Sequence, residues 1–163
     1  MRRFLLIRHA KSSWKNPGLA DIDRPLNNRG KRDAPRMAAY LNQLEIRPDY
    51  LASSPANRAF STATVFYNEF KDIIINFEKF QDLYFGSEDD VMYIINNLEE
   101  SISLPAIFFH NPTINYMSNM FSNYPIDNIP TCGVVHLESE AENWSDVHFS
   151  NTIILNTYFP KLI

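Results

Sequence analysis

Cysteine is nearly absent. Cys132 is the only one in 163 residues, so no intrachain disulfide can form and a reducing compartment is the natural setting. Glycine is scarce at four, and none leads into Lys-Ser or Lys-Thr, which removes the nucleotide P-loop. No apolar run approaches the length of a membrane span. The segment Met1 to Ile7 starts like a secretory leader, but Arg8 and His9 interrupt it before an apolar region is complete, and no small-residue cleavage site follows. Cationic excess is lacking too. A formal net charge of −4 argues against a general nucleic-acid surface, although a local arginine cluster can still bind an anion. The expectation is a cytoplasmic protein with neither membrane nor nucleic-acid partners.

What is present describes an ordinary globular chain, 45% hydrophobic and 21% charged, so residues 1–163 are expected to form one domain. Phe4 to Ile7 reads as a buried strand, and Lys11 to Leu26, broken by Pro17, Gly18 and Pro25, as a long loop. A helix is predicted from about Asn28 to Leu44, capped by Asn27 or Asn28, with Pro35 expected to kink it or delay its start. Tyr50 to Ala52 reads as a strand. Ser54 is then expected to cap a helix that has Pro55 at its first position and Ala59, Thr62, Ala63 and Phe66 on its core face. Ile73 to Ile75 looks like a β-branched strand, and Ser87 with Asp90 like a capping box. Ala106 to Phe109 is a further strand ending at His110, and Asn111-Pro112 signals another helix start. Gly133 to Leu137 and Thr152 to Leu155 are later strands. Strands alternating with helices imply an α/β three-layer sandwich, with a mostly parallel central sheet and helices on both faces.

Chemistry concentrates at strand ends, where open α/β sheets build their sites. Arg8-His9 ends the first strand, His110 ends a later one, and Arg58 lies one turn into the helix after a third. If those strands are neighbours, two arginines, two imidazoles and a helix N-terminus near Asn111 converge on a pocket suited to a dianionic phosphoryl group.

The residues then acquire a family likeness. Leu6-Ile7-Arg8-His9-Ala10-Lys11 resembles the Arg-His-Gly-type signature of the histidine phosphatase superfamily, which is phosphoglycerate mutase-like in fold. The run from Asp23-Arg24-Pro25 to Arg32-Asp33-Ala34 resembles the SixA-type phosphohistidine phosphatase branch, as does Ser53-Ser54-Pro55-Ala56-Asn57-Arg58-Ala59 with Thr62-Ala63. Phe109-His110-Asn111-Pro112 resembles that branch's Gly-His-Asn-Pro, and Pro130-Thr131-Cys132-Gly133 its Pro-Thr-Cys-Gly segment. The matches run in order from about residue 4 to Trp144 and Phe159-Pro160-Lys161.

The resemblance implies that His9 is the nucleophile, that Arg8, Arg58 and His110 hold the phosphoryl oxygens, and that Arg24 is a further anion contact. Asn111 and Lys15 are expected to join the substrate rim. No cofactor or metal is implied. The substrate implied is phosphohistidine in a protein, with a small phosphorylated compound or a non-catalytic phosphoprotein-binding module as alternatives; a monomer is expected. Three departures stand out. Ala10 replaces glycine, Phe109 puts bulk behind His110, and Lys15 adds a charge near the mouth.

A general acid is not evident. Asp82 and Glu88, beside the Leu83-Tyr84-Phe85-Gly86 turn, are the candidates, although Glu88 equally suits the first turn of a helix. Cys132 lacks the downstream arginine of a cysteine phosphatase, since Glu138 stands at the required place. His136 reads as a strand histidine and His148 as a surface residue. Trp14 either packs the long loop or lines the pocket.

Overall fold

The computed structural model describes all 163 residues. In chain order they form β1 (Arg2–Arg8), α1 (Asn28–Gln43), β2 (Tyr50–Ser53), α2 (Asn57–Phe70), β3 (Asn76–Lys79), α3 (Glu88–Asn96), β4 (Pro105–Phe109), α4 (Thr113–Met120), β5 (Val134–Ser139) and β6 (Thr152–Tyr158). The strands make one sheet in the order β3-β2-β4-β1-β5-β6. Pairings β3·β2, β2·β4 and β4·β1 are parallel, whereas β1·β5 and β5·β6 are antiparallel. The parallel half is the one that carries the chemistry. The antiparallel half has a local cause. After α4 the chain returns to the rim where β1 ends, with the Cys132 amide on the Arg8 and His9 carbonyls and the Arg8 amide on the Gly133 carbonyl. From there β5 can only run back down beside β1.

Side-chain alternation builds two cores, one on each face. Leu5, Ile7, Ala106, Phe108 and Val134 pack with Met37, Leu41, Ala63 and Phe66 of α1 and α2. Phe4, Leu6, Ile107, Phe109, Val135 and Leu137 pack with Val91, Ile95, Ile114 and Met117 of α3 and α4, and with Trp144. The result is the expected three-layer sandwich. No helix is long and apolar enough to cross a membrane.

Local chemistry sets the helix boundaries. The Asn27 side chain accepts from the Gly30 amide and caps α1. Ser87 and Asp90 form the capping box that starts α3. Three expectations need correction. α1 runs from Asn28 to Gln43, so Pro35 does not delay its start. It sits on the exposed side, and so does Lys31, whose carbonyl would have been the proline's partner and can turn to water instead. Ser54 does not cap α2. The chain bends at Pro55 and Ala56, Ala56 is the N-cap residue, and the Ser54 hydroxyl is engaged elsewhere. Ile73 to Ile75 is not a strand but the turn that leaves α2, with Ile73 and Ile75 exposed and pairing starting only at Asn76.

One glycine anchors the site loop. A Cβ on Gly30 would overlap the backbone carbonyl of Lys11, two residues past His9. Helix propensity alone predicts that Gly30→Ala gains about 1 kcal/mol. The contact predicts instead a loss of about 1–3 kcal/mol, read by denaturant unfolding; a gain would show that Lys11 is free to move.

Candidate active site

The site begins with register. In the parallel β1·β4 pair Arg8 lies opposite Phe109, and the His9 amide donates to the Phe109 carbonyl at 3.2 Å. His9 and His110 therefore leave the sheet together, with ring centroids 5.1 Å apart. On the other side of β4, the Ser54 amide donates to the Phe108 carbonyl, and Arg58 follows as the second residue of α2. The Ala10 amide donates to Thr62 Oγ1 at 2.9 Å, which ties the His9 turn to α2. Arg8, His9, Arg58 and His110 all line one cavity of 320 Å3, together with Arg24 and Asn111.

Hydrogen bonds fix the imidazoles. His9 Nδ1 lies 2.7 Å from the Ala10 carbonyl, which can only accept, so Nδ1 carries the proton and Nε2 keeps its lone pair. His110 Nε2 lies 2.8 Å from Ser54 Oγ. That hydroxyl accepts from the Ala56 amide and keeps its own proton; where it donates that proton to His110 Nε2, the ring N–H is on Nδ1. Nδ1 is buried with no partner in the protein. Both rings are held neutral. Burial pushes His9 down to about 3, against the pull of its bond to Ala10, and Arg58, Arg8 and Arg24 push the same way. Burial also pushes His110 to about 3, with His9 and Arg58 adding to the effect.

The arginines differ in how firmly they are held. Arg8 donates to the Ile129 carbonyl at 2.9 Å and leaves Nε buried without a partner. Arg58 is clamped by one residue, donating to the Asp21 carbonyl at 2.8 Å and to Asp21 Oδ2 at 3.0 Å. Arg24 is more fully engaged, with the Ser13 carbonyl, Ser12 Oγ and Asp21 Oδ1, and its guanidinium lies 3.2 Å over the Trp14 ring. Trp14 thus does both things expected of it: it packs against the loop's own arginine and lines the cavity.

Several residues land elsewhere than expected. Lys15 is exposed and faces a different cavity, beside Asn16 and Leu19, because the loop turns it away from His9. Asp82 lines a groove with Tyr50 and Glu78, and Glu88 sits in the first turn of α3; neither lines the histidine cavity. Phe109 is buried in the α3–α4 core, so its bulk does not narrow the pocket. Asn111 does reach the cavity, donating to Asn128 Oδ1 at 3.2 Å. His136 is a buried strand residue and His148 is exposed, as expected. No group of three or more His, Cys, Asp or Glu side chains is placed to hold a metal ion.

The carboxylate at the site is Asp21, which sequence reasoning missed. Burial raises its pKa, but hydrogen bonds from Tyr84, Arg24 and Arg58 outweigh that and hold it at about 2. Tyr84 and Phe85 were missed as well. Their rings stand 5.6 and 4.9 Å from that of His110 and form a wall over it. Lys11, Ser12 and Thr131 complete the lining.

Residues 4–101 match the profile of the histidine phosphatase superfamily (branch 1). The chain belongs to that superfamily. An uncharacterized chloroplastic protein of Arabidopsis thaliana is 28% identical over 153 residues, spanning 89% of this chain and 70% of that one. Among solved structures, a provisional phosphohistidine phosphatase SixA from Agrobacterium tumefaciens superposes with a TM-score of 0.82 at 23% identity, over 98% of both chains. The protein histidine phosphatase SixA complexed with tungstate gives 0.79 at 18% identity, again over 98% of both. The fold is thus the phosphoglycerate mutase-like α/β fold of the SixA branch.

The depressed imidazole pKa values have a consequence for stability. A folded-state pKa below the unfolded value of about 6.5 means that the unfolded chain takes up protons first. The associated stability is complete above that value and is lost as pH falls toward about 3. The unliganded protein should lose up to about 1.4 kcal/mol per pH unit for each ring over that window, and His110→Asn should flatten the slope. Urea midpoints measured from pH 8 to 4 check this; a wild-type slope equal to that of the variant would contradict it.

Proposed function

We propose that this chain is a metal-independent phosphatase that moves a phosphoryl group onto His9 Nε2 and then to water, with phosphohistidine in proteins as its substrate. The proposal takes residues 1–163 as one histidine phosphatase domain. The observation that carries it is the bare Nε2 of His9, fixed by the Ala10 carbonyl in a cavity ringed by Arg8, Arg58 and the unpartnered Nδ1 of His110. Phosphoryl transfer passes through a loose transition state with charge on the equatorial oxygens, so positioned cationic and N–H donors do most of the work. Neutral His9 attacks; Arg8, Arg58 and His110 take up the charge. As the His9–phosphorus bond forms, the bond to the leaving nitrogen breaks and its electron pair leaves with that nitrogen. Water then attacks phosphorus, the bond to His9 breaks, and orthophosphate departs.

The leaving group is where the substrate reading gains support. Asp21 supplies the carboxylate of the lining, and at about 2 it is ionised at neutral pH and holds no proton to give. An alkoxide leaving group needs such a proton. An imidazole leaving from phosphohistidine can be protonated by water beforehand, so it needs no acid from the protein. This supports phosphoramidate chemistry over sugar phosphates.

A turnover panel tests the proposal. Phosphoramidate and a phosphohistidine protein should exceed sugar phosphates by about 100-fold or more in kcat/KM, which is the scale of a missing general acid. EDTA should change none of these rates. His9→Ala should lower turnover by at least about a thousandfold while the fold persists by circular dichroism. Equal rates on esters and phosphoramidates would sink the substrate reading, and retained activity in His9→Ala would sink the nucleophile.

A further inference from the structure

Next to the histidine cavity lies a larger one of 710 Å3 with a cationic wall. Arg8, Lys11, Arg29, Arg32, Arg36 and Lys161 face it, against a single carboxylate side chain, Asp33. These are six of the fifteen lysines and arginines in a chain whose net charge is −4. Asp33 does not discharge that wall. Its side chain is 4% exposed, and three guanidiniums share it: Arg29 at 3.6 Å, Arg32 at 3.4 Å and Arg36 at 3.5 Å. Arg36 also donates to a terminal main-chain oxygen of Ile163, the last residue. At those distances each guanidinium keeps N–H donors to spare. The three follow one another along α1 at spacings of three and four, a stripe about 10 Å long on one helix face.

The two cavities share a wall. Arg8, Lys11 and Thr131 line both. Arg29 donates to Thr131 Oγ1 at 3.2 Å, and Asn111 of the histidine cavity donates to Asn128 of the basic one. Arg8 belongs to both linings, and its Nε is buried without a partner.

We propose that the basic cavity is a second anion subsite, which takes a phosphoryl group carried by the same ligand whose first phosphoryl group sits among Arg8, His9 and His110. Crowding six cations costs self-repulsion in the empty protein, and a multivalent anion relieves it. Charge density favours phosphoryl groups over carboxylates, because one phosphate brings a charge of about −1.5 to −2 and three strong acceptor oxygens. Planar guanidinium forks bind such oxygens in pairs. The volume suits a small-molecule ligand. The inference rests on the phosphoryl pocket of the reading above and is independent of which atom the first phosphoryl group leaves.

Calorimetric titration tests it with methylphosphonate and with ethylene-, propylene- and butylenediphosphonate, none of which is hydrolysed. At least one diphosphonate should bind about tenfold or more tighter than methylphosphonate, since the second contact is then intramolecular. Arg32→Gln with Arg36→Gln should shrink that gain to about threefold or less while the methylphosphonate affinity stays the same. Removing two distant cations, by Arg47→Gln with Lys71→Gln, should leave the gain intact. Equal binding of mono- and diphosphonates would overturn the proposal, as would a gain that survives Arg32→Gln with Arg36→Gln or that falls equally in the distant pair. An equal gain from carboxyalkylphosphonates would overturn the assignment to phosphoryl groups. Titration reads binding without turnover, so a protein that prefers diphosphonates but turns over nothing would end the catalytic reading and leave this one standing.

Discussion

Arg8 lies opposite Phe109 in a parallel strand pair, and from that register most of the site follows. The next residue on each strand is a histidine, and both leave the sheet at the same rim with their rings 5.1 Å apart. The register itself is set by the two cores. A slip of one residue would send Phe4 and Leu6 to the α1–α2 face and Leu5 and Ile7 to the α3–α4 face, reversing every contact in the sandwich. Site geometry is therefore held by the burial of a whole domain's apolar surface and not by the weak polar contacts near the imidazoles. Short links add precision: Ala10 to Thr62 on one side, Cys132 to the Arg8 and His9 carbonyls on the other.

The same arrangement explains the electrostatics. Buried imidazoles among three arginines would repel one another if charged, and burial alone already disfavours the charge. Both rings stay neutral, which leaves His9 nucleophilic at neutral pH and gives His110 a single N–H to offer. Asp21 holds Arg24, Arg58 and Tyr84 together and stays ionised, acting as the clasp of the loop over the pocket. An incoming phosphoryl dianion would meet donors already positioned, Arg8 Nε and His110 Nδ1 among them without a protein partner, so anion binding should stabilise the fold through linkage. The basic cavity beyond Arg8 extends this logic past the reacting group.

What could be read from the sequence was what short segments encode. Arg8 ends one apolar strand and His9 follows it, His110 follows another, and Arg58 lies in the first turn of the helix after a third; the strand ends converge because βα units wind the same way. The helix starts at Asn27 and Ser87 were visible because a cap is a contact within a few residues. Asp21 was not visible. Its partners Arg58 and Tyr84 lie 37 and 63 residues away, and nothing in the loop sequence announces that the chain folds back over the rim. Lys15 misled for the same reason. Its charge is real, but loop conformation decides where it points. Ser54 misled in another way. Ser-Pro reads as a helix start, yet here its hydroxyl serves His110, a partner 56 residues away, and the helix waits until Asn57. Ile73 to Ile75 has strand-like composition, but the chain needs those residues to turn out of α2.

The central claim is that His9 itself carries the phosphoryl group during turnover, and rapid quenching tests it most directly. Enzyme mixed with radiolabelled phosphoramidate and quenched in base within milliseconds should yield a labelled protein whose label is lost in acid, survives base and maps to the peptide containing His9. His9→Gln should give none. A wild-type protein that turns over substrate without any such adduct, or an adduct that persists in His9→Gln, would contradict the account.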